Sequence, residues 1–248
     1  MPTTIAYDRS GHGPLLLAIH GITENRRFWD PVPLSERFDV IRVDLRGHGE
    51  SPTKGPFDPD TSAEDIHHLL VDLDESTLPI VLGHSFGGVI ATIYASRYPT
   101  RGVVIVDQSL DAHPLPPSVA ETMREGDIDG FMQSFFAGVY GDLDPALAAD
   151  LDRRRSIRRD VLVGNWSPLL DLDEAGLDDW LAKRTDLPPD VPYFSLHGND
   201  PGQGYDHWLR KRIPTAVVER TPAKTHYPHL AQPREFTDRL QTFAAALP

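Results

Sequence analysis

The chain contains no cysteine, which removes disulfides, thiolate metal sites and a cysteine nucleophile together. Basic residues are scarce. Twenty-four Lys and Arg stand against 37 Asp and Glu, a formal net charge of −13. Phosphate binding needs a basic surface, so nucleic acid is not an expected partner, and neither is an anionic membrane. Long apolar runs are missing as well. Leu15-Leu16-Leu17-Ala18-Ile19 is far too short for a membrane span or a signal-peptide core, and no basic stretch precedes it. A cytoplasmic protein is the expectation. There is no internal repeat or low-complexity segment, and the 23 prolines fall mostly in connections.

What remains is an ordinary globular composition, 40% hydrophobic and 25% charged over 248 residues. That is enough for one large domain, or one domain carrying an insertion.

The most informative stretch is Val81-Leu82-Gly83-His84-Ser85-Phe86-Gly87-Gly88-Val89. Ile80 to Leu82 read as a short buried strand, and Val89 to Ala95 continue as an apolar helix face. Gly83-x-Ser85-x-Gly87 lies between them, where a sharp strand-to-helix turn would lift the Ser85 hydroxyl clear of a sheet. Glycines two residues before and after allow strand and helix to approach without Cβ clashes. The helix N-terminus brings unpaired N–H groups beside the hydroxyl. A serine oxygen is a poor nucleophile at neutral pH, so this reading requires a histidine base and an acid to orient it.

Elsewhere the chain alternates strands and helices. Ile5 to Tyr7 reads as an edge strand before the turn Ser10 to Pro14. Leu15 to Ile19 and Phe38 to Val43 read as buried strands. Thr61 or Ser62 is expected to start a helix running to Leu73. Gly102 to Val106 is a further strand, ending at Asp107-Gln108. Residues 109 to 190 break the rhythm and read as a helical insertion of three helices. One carries the capping box Ser118 to Glu121 and stops at Gly126, one opens at Asp144-Pro145 with Gly164 near its end, and one spans Asp173 to Lys183. Strands resume at Pro192 to Leu196 and Ala216 to Glu219, with helices at Tyr205 to Arg212 and Arg234 to Ala246. The expected class is α/β, a mostly parallel sheet flanked by helices. Ligands then bind beyond the carboxyl ends of the strands, where His20-Gly21, Arg46 to Gly49, Ser85, Asp107, Asp200 and His226 all fall.

In these residues the chain resembles the α/β-hydrolase family. The resemblance is carried by His20-Gly21, Asp44-Leu45-Arg46-Gly47-His48-Gly49-x-Ser51, Gly83 to Gly88, His197-Gly198-x-Asp200 and His226-Tyr227-Pro228-His229-Leu230. It covers nearly all of the chain outside the insertion. It implies the α/β-hydrolase fold, with residues 1–108 and 191–248 as core and 109–190 as a helical cap over the active site. It also implies a Ser-acid-His triad in that chain order and no cofactor or metal.

Residue by residue, the resemblance makes Ser85 the nucleophile and His226 the base, with His229 packing or capping. The backbone N–H groups of Ile22 and Phe86 form the expected oxyanion hole. His20 and His84 are expected to serve as structural hydrogen-bonders, with Arg46 and His48 bracing the loop over the site. Two acids compete. Asp200 follows the strand that most members use, although their usual spacing falls on Pro201. Asp107 ends the preceding strand, the position used by certain dehalogenases and a zearalenone-type lactonase. Asp200 is the preferred assignment.

The insertion holds Phe131, Phe135, Phe136, Tyr140, Trp166 and Trp180, of which Trp166 and Phe135 are the expected substrate-lining residues. The arginine run from Arg153 to Arg159 reads first as a solvated helix face, and second as a holder for a substrate carboxylate. The expected activity is hydrolysis of a carboxylic ester or lactone, by a monomer or homodimer acting on a small molecule. C–C bond hydrolysis, perhydrolysis and acyl transfer use the same triad. A ligand-binding protein that kept the fold is the alternative from another class.

Overall fold

Leu15 to Ile19 is buried along its whole length, and its side chains divide between two layers. Leu15, Leu17 and Ile19 join one apolar cluster, while Leu16 and Ala18 join another. This is the period of two expected of a strand covered on both faces. The computed structural model describes residues 4–248.

Among the described residues, seven strands make one sheet: β1 (Tyr7–Gly11), β2 (Leu15–Ile19), β3 (Asp39–Val43), β4 (Ile80–His84), β5 (Gly102–Val106), β6 (Tyr193–His197) and β7 (Ala216–Arg220). Their spatial order is β1-β3-β2-β4-β5-β6-β7. Only β1 runs antiparallel to its neighbour. Helices α1 (Pro59–Asp72) and α2 (Phe86–Arg97) follow β3 and β4. Six helices separate β5 from β6: α3 (Pro117–Arg124), α4 (Ile128–Val139), α5 (Pro145–Arg154), α6 (Arg159–Asn165), α7 (Ser167–Asp171) and α8 (Glu174–Arg184). The chain finishes with α9 (Tyr205–Arg212), α10 (Pro228–Ala231) and α11 (Pro233–Ala245) around β7. Ile66, Ile90 and Leu209 pack on one sheet face. Phe28, Trp29, Phe236 and Leu240 cover the other.

Several boundaries differ from the sequence reading. The edge strand lies two residues later than expected, with Tyr7 opposite Val43 and Gly11 opposite Asp39. Helix α1 starts at Pro59 because Asp58 caps it, accepting the Thr61 N–H at 2.8 Å. Pro59 needs no donor in that first turn. The insertion has six helices, not three. Ser118 caps nothing: Pro116 holds the cap position of α3 and Ser118 lies inside the first turn. Helix α4, capped by Asp127, was not anticipated. The helix opening at Asp144-Pro145 ends at Arg154, where Arg155 turns extended.

Candidate active site

Ser85 sits between β4 and α2 with φ 51° and ψ −127°, a conformation rarely adopted by a residue with a Cβ. The turn is tight enough that a Cβ on Gly83 would stand 2.2 Å from the Gly87 carbonyl oxygen. The Ser85 N–H donates to the Val106 carbonyl at 2.9 Å, pinning the turn to the end of β5. Ser85 lines a cavity whose wall also includes His226, Ile22 and Phe86. No hydrogen bond joins Ser85 to His226 in this structure. The Phe86 N–H heads α2, where no intrahelical acceptor exists.

His226 Nδ1 lies 2.6 Å from Asp107 Oδ2. Asp107 has φ 49°, which turns its side chain off the end of β5 towards the loop after β6. There its carboxylate accepts the N–H groups of Gly198 at 2.7 Å and Asn199 at 2.9 Å, and the Asn199 side-chain amide at 3.2 Å. Burial alone would raise its pKa. The bond and charge of His226, with the two backbone N–H groups, outweigh burial and hold it below the ordinary value.

The structure does not bring Asp200, the preferred acid, to His226. The Asp200 side chain is 77% exposed, against 5% for Asp107. Asp200 accepts the Gly202 N–H at 3.1 Å and stands 3.9 Å from Arg220. The backbone turns to solvent one residue after the Gly198-Asn199 amides that hold Asp107. The loop that holds Asp200 instead supports the carboxylate at the end of the neighbouring strand.

The histidine loop is held from two sides. His84 Nε2–H donates to the His226 carbonyl at 2.9 Å, and the His226 N–H donates to Val139 of α4 at 3.0 Å. Burial is the largest influence on the His226 ring and lowers its pKa despite the bond to Asp107. His229 is fully buried among Phe28, Trp29 and Phe236. Burial pushes its pKa well down.

The histidines around the first loop have structural partners. His20 Nε2 accepts the Leu45 N–H at 3.1 Å, so Nδ1 carries the proton to the Gly21 carbonyl at 2.7 Å. His48 Nε2 accepts the Thr23 N–H at 3.3 Å, and Arg46 bonds Asp65 of α1 through two nitrogens.

The cavity has a volume of about 430 Å³. Its walls beyond Ser85 and His226 are mainly apolar, with Phe131, Phe135, Trp166, Leu169 and Trp180 from the insertion. Trp166 and Phe135 both line it, their rings 6.2 Å apart edge to face. Phe136 and Tyr140 do not. They pack around Arg155 and Tyr227.

The arginine run does not act as a unit. Arg153 and Arg154 pair with Asp150, and Arg158 with Asp160. Arg159 donates to carbonyls at the end of α3. None of the five lines the cavity. Arg155 is different, with a side chain only 4% exposed and directed at Glu24. Sequence reasoning missed both residues. An acid two positions past an apolar turn residue was a signal that could have drawn attention to Glu24.

The model of the alpha/beta hydrolase family matches residues 15–239. Over 166 residues the chain is 34% identical to the 2-(acetamidomethylene)succinate hydrolase of Mesorhizobium japonicum. That match covers 62% of this chain, and the chain spans 57% of that relative's length. Lipase LipV of Mycobacterium tuberculosis is 34% identical over 202 residues, covering 75% of this chain and 67% of the lipase. The crystal structure of the enol-lactonase from Burkholderia xenovorans superposes with a TM-score of 0.78 at 19% identity. It covers 97% of this chain and 96% of that one, a likeness of fold.

Proposed function

This chain belongs to the alpha/beta hydrolase family, and from that premise we propose that it is a serine hydrolase cleaving a carboxylic ester or lactone with a sizeable apolar part. The observation that carries the reading is the joint placement of Ser85 and the Asp107-bonded His226 on one largely apolar cavity. Residues 109–190 act as its cap, since they supply most of the aromatic wall.

The chemistry follows from the geometry. Asp107 holds the proton on His226 Nδ1, leaving Nε2 free to take the Ser85 hydroxyl proton. In the substrate complex the Ser85 hydroxyl donates to His226 Nε2, both groups lining the same cavity. Ser85 Oγ bonds to the ester carbonyl carbon, and the oxyanion is received by the N–H groups of Ile22 and Phe86. His226 then passes its proton to the departing alkoxide as the C–O bond breaks. Water repeats the sequence on the acyl-enzyme and frees Ser85. A lactone follows the same path with its alkoxide still tethered to the acyl group. The names of the lipase and enol-lactonase relatives are consistent with both substrate forms.

The test is release of p-nitrophenol from a chain-length series of acyl esters, with lactones in parallel, for wild type and Ser85→Ala. A burst that vanishes in Ser85→Ala supports the acyl-enzyme. Stoichiometric binding without Ser85-dependent turnover on any ester or lactone would sink the reading.

A further inference from the structure

Glu24 is a buried acid that the hydrolytic steps above do not use, and its partners lie on three separate parts of the molecule. Within its own loop, Oε2 accepts the Gly21 N–H at 3.0 Å, while the Glu24 N–H donates to the Gly21 carbonyl at 3.3 Å. The turn carrying Ile22 is thus closed on itself by Glu24. From the serine elbow, His84 Nδ1 stands 3.4 Å from the same oxygen, an ion-pair distance rather than a well-formed hydrogen bond. The packing leaves no slack: a Cβ on Gly21 would meet Glu24 Oε2 at 2.9 Å, His84 Nδ1 at 3.1 Å and Ser85 Cβ at 3.3 Å.

The third partner comes from the cap. Arg155, between α5 and α6, sends Nη1 to Glu24 Oε1 at 3.4 Å and to Thr23 Oγ1 at 3.2 Å. Its Nη2 donates to the Tyr227 hydroxyl at 2.7 Å, next to His226. The guanidinium lies 3.4 Å above the Phe136 ring of α4. The next residue adds a backbone bond, Ser156 N–H to the Thr23 carbonyl at 2.9 Å. Burial raises the cost of the Glu24 charge, but His84 and Arg155 offset it and hold its pKa below the ordinary value. A buried carboxylate lacking its partner is strongly unfavourable, so the position of Arg155 matters to this turn.

We propose that Arg155 and Glu24 are a positioning pair that links the seating of the cap to the shape of the oxyanion turn and the setting of the His226 loop. The pair touches no substrate, since neither residue lines the cavity. It acts through Ile22, whose N–H lies inside the turn that Glu24 closes, and through Tyr227, which adjoins the base. A cap displaced from the core would withdraw the guanidinium, leave Glu24 partly unpaired and loosen the turn. Efficient chemistry then requires a seated cap. The inference rests on the serine-hydrolase reading for its kinetic consequence, but the structural coupling can be read without turnover.

The experiment compares wild type with Glu24→Gln, Arg155→Met, the double variant and Tyr227→Phe, the last removing one Arg155 acceptor while keeping the ring. Glu24→Gln and Arg155→Met are expected to lower kcat by about tenfold to a hundredfold with little change in KM, the scale of a misplaced catalytic donor. An alkyl boronic acid, which forms a tetrahedral adduct on the serine, should lose affinity in proportion, while the product carboxylic acid keeps its own. The double variant should be no worse than the poorer single one, because the two residues act as a unit. Hydrogen–deuterium exchange over residues 20–25 should quicken in Arg155→Met. Folded variants with wild-type kcat, or losses falling equally on KM and product binding, would overturn the proposal. If the single variants do not fold, Tyr227→Phe decides by the same kcat and boronate readings. A wild type without Ser85-dependent turnover refutes the hydrolase reading instead. The exchange measurement then tests the coupling alone, and unchanged exchange in Arg155→Met refutes it.

Discussion

Asp107 Oδ2 lies 2.6 Å from His226 Nδ1, across 119 residues of sequence. The same carboxylate accepts two backbone N–H groups from the loop after β6. The acid and the histidine ring are thereby held by three adjacent strand ends.

Asp107→Asn is expected to keep the fold, because the amide oxygen can still accept the Gly198 and Asn199 N–H groups. Its amide nitrogen would face His226 as a donor and force the proton onto Nε2, the wrong tautomer for a base. Turnover of an ester substrate should fall by about three to four orders of magnitude. Asp200→Asn should stay near wild type. Comparable activity of Asp107→Asn and wild type would refute the assignment.

The pH profile follows from the burial of His226. In the proposed mechanism the neutral ring is the base, and burial lowers its pKa below the ordinary histidine value. The kcat/KM curve should rise with pH to a plateau through a midpoint below about 6.5. A Ser85-dependent activity whose midpoint stands above neutrality would contradict this.

Stability should fall on acidification well before the carboxylates titrate. Burial lowers His48 to about 3 and His197 to about 4. Below the unfolded value of about 6.5 the unfolded chain binds protons that the native state refuses. Stability is therefore fully present above that pH and lost as the pH falls towards the folded values. Each histidine contributes a slope of about 1.4 kcal/mol per pH unit over its window. Urea midpoints near pH 7.5 and near pH 5 provide the check, and equal midpoints would count against buried neutral rings.

Trp166→Ala enlarges the cavity on the side of the helical insertion, where the indole lies near Phe135. The preferred acyl chain should lengthen, and kcat/KM for the best wild-type ester should drop by about tenfold. An unaltered chain-length optimum would remove Trp166 from the binding wall.

Gly83→Ala places a methyl group against the Gly87 carbonyl, within 2.2 Å before relaxation. A cost of about 1–3 kcal/mol is expected from such overpacking, together with loss of turnover as Ser85 shifts. Thermal unfolding and kcat measured on the same preparation test both parts. Wild-type stability and rate would show that the elbow tolerates the group.

Much of the fold was legible because it is local. The β4 strand, the elbow and α2 lie within one short stretch, and their apolar runs and glycines require no distant partner to be recognised. The helix from Tyr205 to Arg212 matched for the same reason. The insertion was read less well. Its short helices are set by Pro and Asp at their starts and by contacts with the core, and such contacts override a capping pattern like Ser118 to Glu121.

The alternation of buried strands and helices, the serine on its strand-to-helix turn and the histidine after the last strand are all written in the chain's local pattern. These depend on periodicity and on residues adjacent in the chain. Only the tertiary structure sets Asp107 rather than Asp200 against His226, since both follow neighbouring parallel strands and sequence spacing does not say which turns inward. The positive φ of Asp107 and the amides of Gly198 and Asn199 point one carboxylate at His226, while the backbone carries the other into solvent. It likewise singled out Arg155 from five clustered arginines. A charge becomes buried only where the fold brings an opposite charge to meet it, and here that charge is Glu24, 131 residues away.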